Sequence, residues 1–215
     1  MKLVFLGPPG AGKGTQAERI CEVMGLAHIS TGDMLRREIE TGSEIGLLAA
    51  DLINRGELVP DEVVIKLVRE RLLCDDAKKG VVFDGFPRTL EQAKLLTEDI
   101  GTDFVLNIDV PLEKLLHRIV TRRTCADCDI VYSTEELKSE NCPRCGKKLS
   151  IRADDNPDAF KERYQVYLER TLPIIDYYKA RGELINIDGD RPKDVIAADI
   201  ADKLEKLGGL KYDKG

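Results

Sequence analysis

Apolar residues in this chain come in short runs separated by longer amphipathic stretches. Residues 3–6, 27–30, 81–84, 104–109 and 184–188 are brief and rich in apolar side chains, as strands buried on both faces are. Between them, apolar positions recur at helical spacing over about 13–24, 61–74, 90–99, 112–122, 157–180 and 192–207. This alternation predicts an α/β fold with a parallel sheet core flanked by helices. Two stretches break the rhythm. Residues 31–59 carry short helical patterns punctuated by Gly32, Gly42, Gly46 and Gly56, where a single crossover helix is expected. Residues 122–155 are poor in large apolar side chains and hold four of the six cysteines. Both read as insertions projecting from the sheet edge where open α/β proteins bind ligands.

The first apolar run leads directly into Gly7-Pro8-Pro9-Gly10-Ala11-Gly12-Lys13-Gly14-Thr15 and then a helical pattern. Strand, glycine-rich turn, lysine and helix form the order that a phosphate cradle requires. Glycines let backbone N–H groups turn inward, the helix N-terminus adds partial positive charge, and the lysine reaches the outer phosphates. The general nucleotide-loop pattern has Ser or Thr after the lysine, whereas this chain has Gly14. The hydroxyl usually placed on magnesium arrives one residue later, at Thr15. An ordinary glycine-rich turn is the bland alternative.

At 215 residues, with 42% hydrophobic and 33% charged side chains, the chain suits one globular domain with insertions. A net charge of −6 counts against a partner bound by phosphate neutralisation, such as nucleic acid. No apolar run approaches the roughly 20 residues of a membrane span, and the N-terminal run is too short for a signal peptide. A cytoplasmic location is expected, where cysteines serve more often as metal ligands than in disulfides. Cys125-x-x-Cys128 and Cys142-Pro-Arg-Cys145 are separated by thirteen residues, a zinc-ribbon spacing suited to tetrahedral zinc. An oxidised disulfide pair is the competing reading. Cys21 and Cys74 stand alone and read as small buried hydrophobes.

Val81-Val82-Phe83-Asp84 ends a predicted strand on a carboxylate, placing Asp84 near a magnesium ion, directly or through water. Gly85-Phe86-Pro87-Arg88 follows, with an arginine just beyond a rigid turn and suited to bidentate phosphate binding. Arg36 lies in the first insertion, while Arg118, Arg122 and Arg123 lead into the second. Arg152 and Arg163 straddle its exit, with Asp154 and Asp155 between them. Arginines on movable flaps can gather round a phosphoryl group and exclude water. No nucleophile–base pair stands out, and His28 and His117 read as packing or surface residues. A phosphate acceptor, already ionised near neutral pH, needs alignment and charge neutralisation but no base.

Taken in order, residues 7–15 (GPPGAGKGT), 30–36 (STGDMLR), 84–89 (DGFPRT), 118–123 (RIVTRR) and 152–155 (RADD), then Arg163, resemble an adenylate kinase of the bacterial, long-lid, zinc-containing type. The resemblance covers essentially the whole chain and includes Gly14, since this family's loop reads GKGT. It implies a P-loop core from 1–29, 60–121 and 156–215, an AMP-binding flap at 30–59 and a zinc-bearing lid at 122–155. The implied reaction is reversible, magnesium-dependent transfer between ATP and AMP, giving two ADP.

By the same resemblance Gly10, Ala11, Gly12, Lys13, Gly14 and Thr15 hold ATP phosphates, with Asp84 at magnesium. Arg118 and Arg122 meet ATP, Val131 and Tyr132 line its base pocket, and Arg191 contacts the base through its backbone. Thr31, Arg36, Glu57, Leu58, Val59, Gly85, Phe86, Pro87, Arg88 and Gln92 hold AMP, together with Arg152 and Arg163. Lys13, Arg88, Arg122, Arg152 and Arg163 surround the transferred group. Many zinc lids of the family use three cysteines and an aspartate; here Cys145 takes the fourth place beside Cys125, Cys128 and Cys142. The expected partners are ATP, AMP and ADP, with no nucleic acid or membrane, and the chain is expected to be a monomer. Kinases for other nucleoside monophosphates share the loop and the DGFPR turn, and a GTP-using donor site shares the same contacts. A zinc-ribbon ATPase acting on nucleic acid is the reading from another class.

Overall fold

The computed structural model describes residues 1–208. Its strands are β1 (Lys2–Leu6), β2 (Ala27–Ser30), β3 (Val81–Asp84), β4 (Phe104–Asp109), β5 (Arg122–Thr124), β6 (Val131–Ser133) and β7 (Leu184–Asp188). Five of them form a parallel sheet in the order β2-β3-β1-β4-β7, while β5 and β6 make a separate antiparallel pair. Nine helices are described: α1 (Lys13–Met24), α2 (Thr31–Thr41), α3 (Glu44–Arg55), α4 (Asp61–Leu72), α5 (Leu90–Leu95), α6 (Leu112–Val120), α7 (Pro157–Val166), α8 (Leu172–Ala180) and α9 (Lys193–Lys206).

Central β1 explains why the sheet is covered twice. Its residues alternate faces, so Leu3 and Phe5 join one core with Ile20 of α1, Leu115 of α6 and Ile200 of α9. Val4 and Leu6 join the other, with Val68 of α4, Leu96 just past α5 and Tyr178 of α8. Every strand end that carries chemistry therefore emerges along one edge, between the two helical layers.

The first insertion is a helical hairpin, α2 and α3. Ser30 accepts from the Asp33 N–H at 3.3 Å and Ser43 from the Gly46 N–H at 3.0 Å, so each helix begins on a serine cap. Gly46 is required because a β-carbon there would collide with the Glu38 carbonyl of α2.

Several elements end differently from their sequence patterns. The pattern carried the sixth helix to residue 122, but α6 stops at Val120 and Arg122 opens β5. Thr121 turns its hydroxyl onto the His117 carbonyl at 2.7 Å, and pairing of Arg122 with Ser133 draws the chain into the lid hairpin. The predicted helix over 157–180 is interrupted by a wide π turn at Tyr167–Thr171. Pro173 follows it and can donate no helical N–H, and the widened turn lets Thr171 donate to the Arg88 carbonyl at 2.9 Å. A second π turn, Leu96–Ile100, continues α5, and α4 ends at Leu72, before a 3-10 turn at Asp75–Lys79. Cys21 is buried as expected, whereas Cys74, expected to be buried, is exposed because α4 has already ended. Among the described residues no helix is long and apolar enough to cross a membrane.

Candidate functional site

Where β1 ends, residues 7–12 turn the chain into α1. Gly7, Gly10 and Gly12 of this turn all have positive φ, and at the first two a side chain would also collide with the backbone. Gly7 has φ 141° and a β-carbon there would lie 2.5 Å from the Ile108 carbonyl oxygen, while Gly10 has φ 86° and would meet that of Leu115 at 2.8 Å. The loop closes round Lys13, whose ammonium donates to the carbonyls of Gly7 at 2.8 Å and Pro8 at 2.9 Å. Burial pulls the Lys13 pKa down to about 7; Asp84 opposes the shift, and Arg88, Arg163 and Arg122 reinforce it. An anion entering beside Nζ would restore its charge.

The fit at Gly14 explains the missing hydroxyl. A β-carbon at Gly14 would stand a tight 3.2 Å from Asp84 Oδ2, so glycine lets α1 press close to the end of β3 without displacing that carboxylate. Asp84 has a partner that the sequence concealed. His28, on adjacent β2, brings Nε2 to 3.6 Å from Asp84 Oδ2, and that nitrogen is buried without a hydrogen bond among the described residues. Burial alone would raise the Asp84 pKa, but His28 and then Lys13 outweigh it and hold the carboxyl below its usual range. His28 was expected to be a packing or surface residue. Only the pairing of β2 with β3 brings it to Asp84, and that pairing leaves no local signal in the sequence. Burial also pushes nearby Glu18 up to about 7, with His28 opposing and Asp33 and Asp84 adding to the shift.

Around this loop the arginines converge from three directions. Arg122 is held by Asp155, with Nε at 2.8 Å from Oδ2, and Arg163 by Asp154 at 2.6 Å. Arg36 is paired with Asp33, which also lies 3.5 Å from Arg152. The Asp33, Asp154 and Asp155 carboxylates thus orient side chains that would otherwise repel. Arg88 differs: its Nε donates to the Gly85 carbonyl at 2.8 Å, and among the described residues it has no carboxylate partner. Arg152 has a buried Nε with no hydrogen-bond partner among the described residues. Burial lowers both Arg152 and Arg163 to about 10, so both stay charged at neutral pH. Cations held so close, with donors left open, are arranged to receive a polyanion.

Two cavities meet at these arginines. The larger, about 410 Å³, is lined by residues 10–15, Asp84, Arg118, Arg122, Val131, Tyr132, Arg152 and Arg191. The second is lined by Thr31, Leu35, Glu57, Leu58, Val59 and Gln92. Arg36, Gly85, Arg88 and Arg163 line both. Phe86 belongs to the core, its ring centroid 6.0 Å from that of Phe83, and Pro87 lines a separate neighbouring pocket. The Arg191 side chain is tied to Asp199 at 2.7 Å and to the Asp188 carbonyl at 3.1 Å.

The cysteines assemble in the lid. The sulfurs of Cys125, Cys128, Cys142 and Cys145 lie within 4.8 Å of one another. Each pair sits in a tight turn closed by a backbone bond, Cys125 N–H to Ile130 at 3.0 Å and Cys142 N–H to Lys147 at 2.7 Å. A residue with positive φ follows the second cysteine of each pair, Asp129 at 56° and Gly146 at 77°. A tetrahedral ion with metal–sulfur bonds of about 2.3 Å spaces its sulfurs about 3.8 Å apart, which this cluster accommodates. The set fits a structural metal.

Comparison with known proteins agrees with this geometry. The family profile described as Adenylate kinase matches residues 5–183. The chain is 46% identical to an adenylate kinase of Archaeoglobus fulgidus, over 96% of this chain and 99% of that relative. It is 43% identical to one of Kosmotoga olearia, over 96% of this chain and all of the relative, and 44% identical to one of a Geobacillus species, over 98% and all of the relative.

Proposed function

The chain belongs to the adenylate kinase family and is an ATP:AMP phosphotransferase, and on that premise we propose how its residues divide the work. The larger cavity takes ATP and the second takes AMP. The observation that carries this assignment is the junction: Arg88 and Arg163 line both cavities, so the ends of two phosphate chains meet there. Lys13 and the backbone of 10–15 hold the ATP phosphates. Arg118 and Arg122, with Val131 and Tyr132, bound the rest of the ATP site. Arg191, its side chain occupied by Asp199, offers only backbone to the base. Thr31, Arg36, residues 57–59, Gly85, Arg88 and Gln92 hold AMP, with Phe86 packed in the core behind them. Arg152, with its unpartnered Nε, closes over the transferred group.

Transfer here needs alignment and charge stabilisation only. AMP brings an ionised oxygen, the arginines draw it into line with the donor phosphate, and the same side chains take up charge that redistributes as the group moves. Asp84 and Thr15 line the larger cavity and would hold a magnesium ion bound with ATP, directly or through water, and that ion would supply charge neutralisation at the phosphates. The Asp84 carboxyl, held ionised by His28 and Lys13, suits that role. In the lid the four thiolates suit zinc, leaving no open position for substrate. Residues 30–59 and 122–155 move as flap and lid, closing to exclude water, which competes with AMP for the phosphoryl group. One chain supplies both cavities, so a monomer suffices, and thiolate ligation of the metal suits the reducing cytoplasm.

Arg88→Ala tests the junction. It removes a cation that has no carboxylate partner to leave stranded, and turnover should fall about 10²-fold or more, the scale of one preorganised donor. Steady-state kinetics with both substrates measure it, and near-normal kcat would refute the assignment.

A further inference from the structure

We propose that Asp61 is a positioning residue, fixing the side-chain amide of Gln92 in the orientation that reads a 6-aminopurine. The proposal rests on the reading above that Gln92 faces the acceptor base. Gln92 is 2% exposed and forms part of the wall of the second cavity. Its Oε1 accepts from the backbone N–H of Arg88 at 2.7 Å, and its Nε2 donates to Asp61 Oδ1 at 2.6 Å. The chemistry of the partners dictates both assignments, because a backbone N–H only donates and a carboxylate accepts. Reversing the amide would set oxygen against oxygen on one side and N–H against N–H on the other. The other Asp61 oxygen accepts from Thr89 Oγ1 at 2.7 Å, and that hydroxyl caps α5 by accepting from the Gln92 N–H at 3.2 Å. Asp61, in the first turn of α4, thus holds both the cap and the amide of α5.

An amide offers two lone pairs and two N–H groups. In Gln92 one of each is occupied, leaving one acceptor and one donor. A 6-aminopurine presents an N–H donor at its 6-position and an acceptor at ring N1, the complement of what remains. A 6-oxopurine presents an acceptor and a donor in those places, the reverse. An amide free to rotate by 180° would serve either base; one held at both ends serves the first. Arg88 supplies one of the two holds through a backbone group that no substitution removes, so Asp61 is the side chain through which the hold can be loosened. Its charge makes this the stronger of the two bonds.

The test uses the full-length enzyme with AMP, and with IMP as the 6-oxo probe, each against saturating ATP. Asp61→Asn keeps the size, but its amide can donate or accept and no longer dictates which atom of Gln92 faces it. The AMP KM should rise several-fold, kcat and the ATP KM should stay near wild type, and the AMP-over-IMP ratio of kcat/KM should fall about tenfold. Asp61→Ser should do the same, and serves if the first variant does not fold. A lower melting temperature with an unchanged ratio makes Asp61 a structural tie only and overturns the proposal. Gln92→Ala separates the two readings. If it loses the ratio while Asp61→Asn keeps it, the Asp61 proposal alone falls. If Gln92→Ala itself leaves the AMP KM and ratio intact, Gln92 does not read the base and the underlying assignment falls as well.

Discussion

At the scale of single residues, the charge state of Lys13 makes a measurable prediction. Its pKa of about 7, set by burial against Asp84, leaves it mostly neutral at pH 8. ATP at that pH is fully ionised, its phosphate pKa lying near 6. Phosphates placed beside Nζ raise the lysine pKa, so the bound complex holds more protons than the free pair and binding takes one up from buffer. At pH 6 Lys13 is already charged while the terminal phosphate is about half protonated, so uptake should give way to release. Calorimetric titrations of ATP at pH 8, in buffers of low and high ionisation heat, should show uptake of up to about one proton, abolished in Lys13→Met. Proton release at pH 8, or equal heats there in every buffer, would sink the idea. Lys13 and its glycines were legible in the sequence because their spacing is local. The reason for Gly14 was not, since it lies in the 3.2 Å approach to Asp84, nor was His28, which reaches Asp84 only through strand pairing. Asp61 and Gln92 are likewise 31 residues apart, and the hydrogen bond joining them leaves no trace in local pattern.

At the scale of elements, the apolar runs marked all five sheet strands, because a strand buried on both faces has little freedom in composition. Helix ends were less legible. The end of α6 is decided by β5 pairing with β6, and the break between α7 and α8 by Pro173 together with the contact from Thr171 to Arg88. The lid shows the weakest apolar signal, and its packing explains why. Its buried apolar side chains are Cys125, Cys142 and Leu149, with Cys128, Tyr132 and Leu137 against them, while Ile151 is 57% exposed. Three of those six are candidate ligands, so the metal site is itself the centre of the lid core. Metal binding then contributes directly to lid folding. Chelation or Cys142→Ser should lower the melting temperature and loosen the lid, while activity in the cold survives in part because Lys13 and Arg88 lie outside it. Metal content, melting and activity measured on one preparation decide the matter. Unchanged melting with complete loss of activity would make the metal catalytic.

At the scale of the whole molecule, the lid and flap meet each other as well as the core. Arg37 of α2 reaches Asp129 of the lid at 2.6 Å, Lys193 of α9 reaches Glu136 at 2.6 Å, and His117 of α6 reaches Glu135 at 2.8 Å. These pairs are exposed, and such pairs contribute little, about 0–1 kcal/mol each. Against them stands the charge gathered beneath: Lys13, Arg88, Arg152 and Arg163 are all shifted toward neutrality, burial first and neighbouring cations among the causes. A closed arrangement of this kind is weakly latched at its rim and holds at its centre buried cations whose loss of water the neighbouring carboxylates only partly offset. Anionic phosphates supply the missing compensation, so nucleotide should set the position of both insertions. Two adenosines joined by five phosphates fill both cavities at once and should draw lid and flap inward together. Distance labels at residues 45 and 140, each paired with a site on the sheet core, should shorten when that analogue binds. They should lengthen when it is removed, more so at high salt, which screens the exposed rim pairs. ATP alone should move the label at 140 more than the label at 45, because the lid arginines line the larger cavity. If both distances stay fixed across free, ATP-bound and analogue-bound protein, the insertions are rigid and the water-excluding role assigned to closure is wrong.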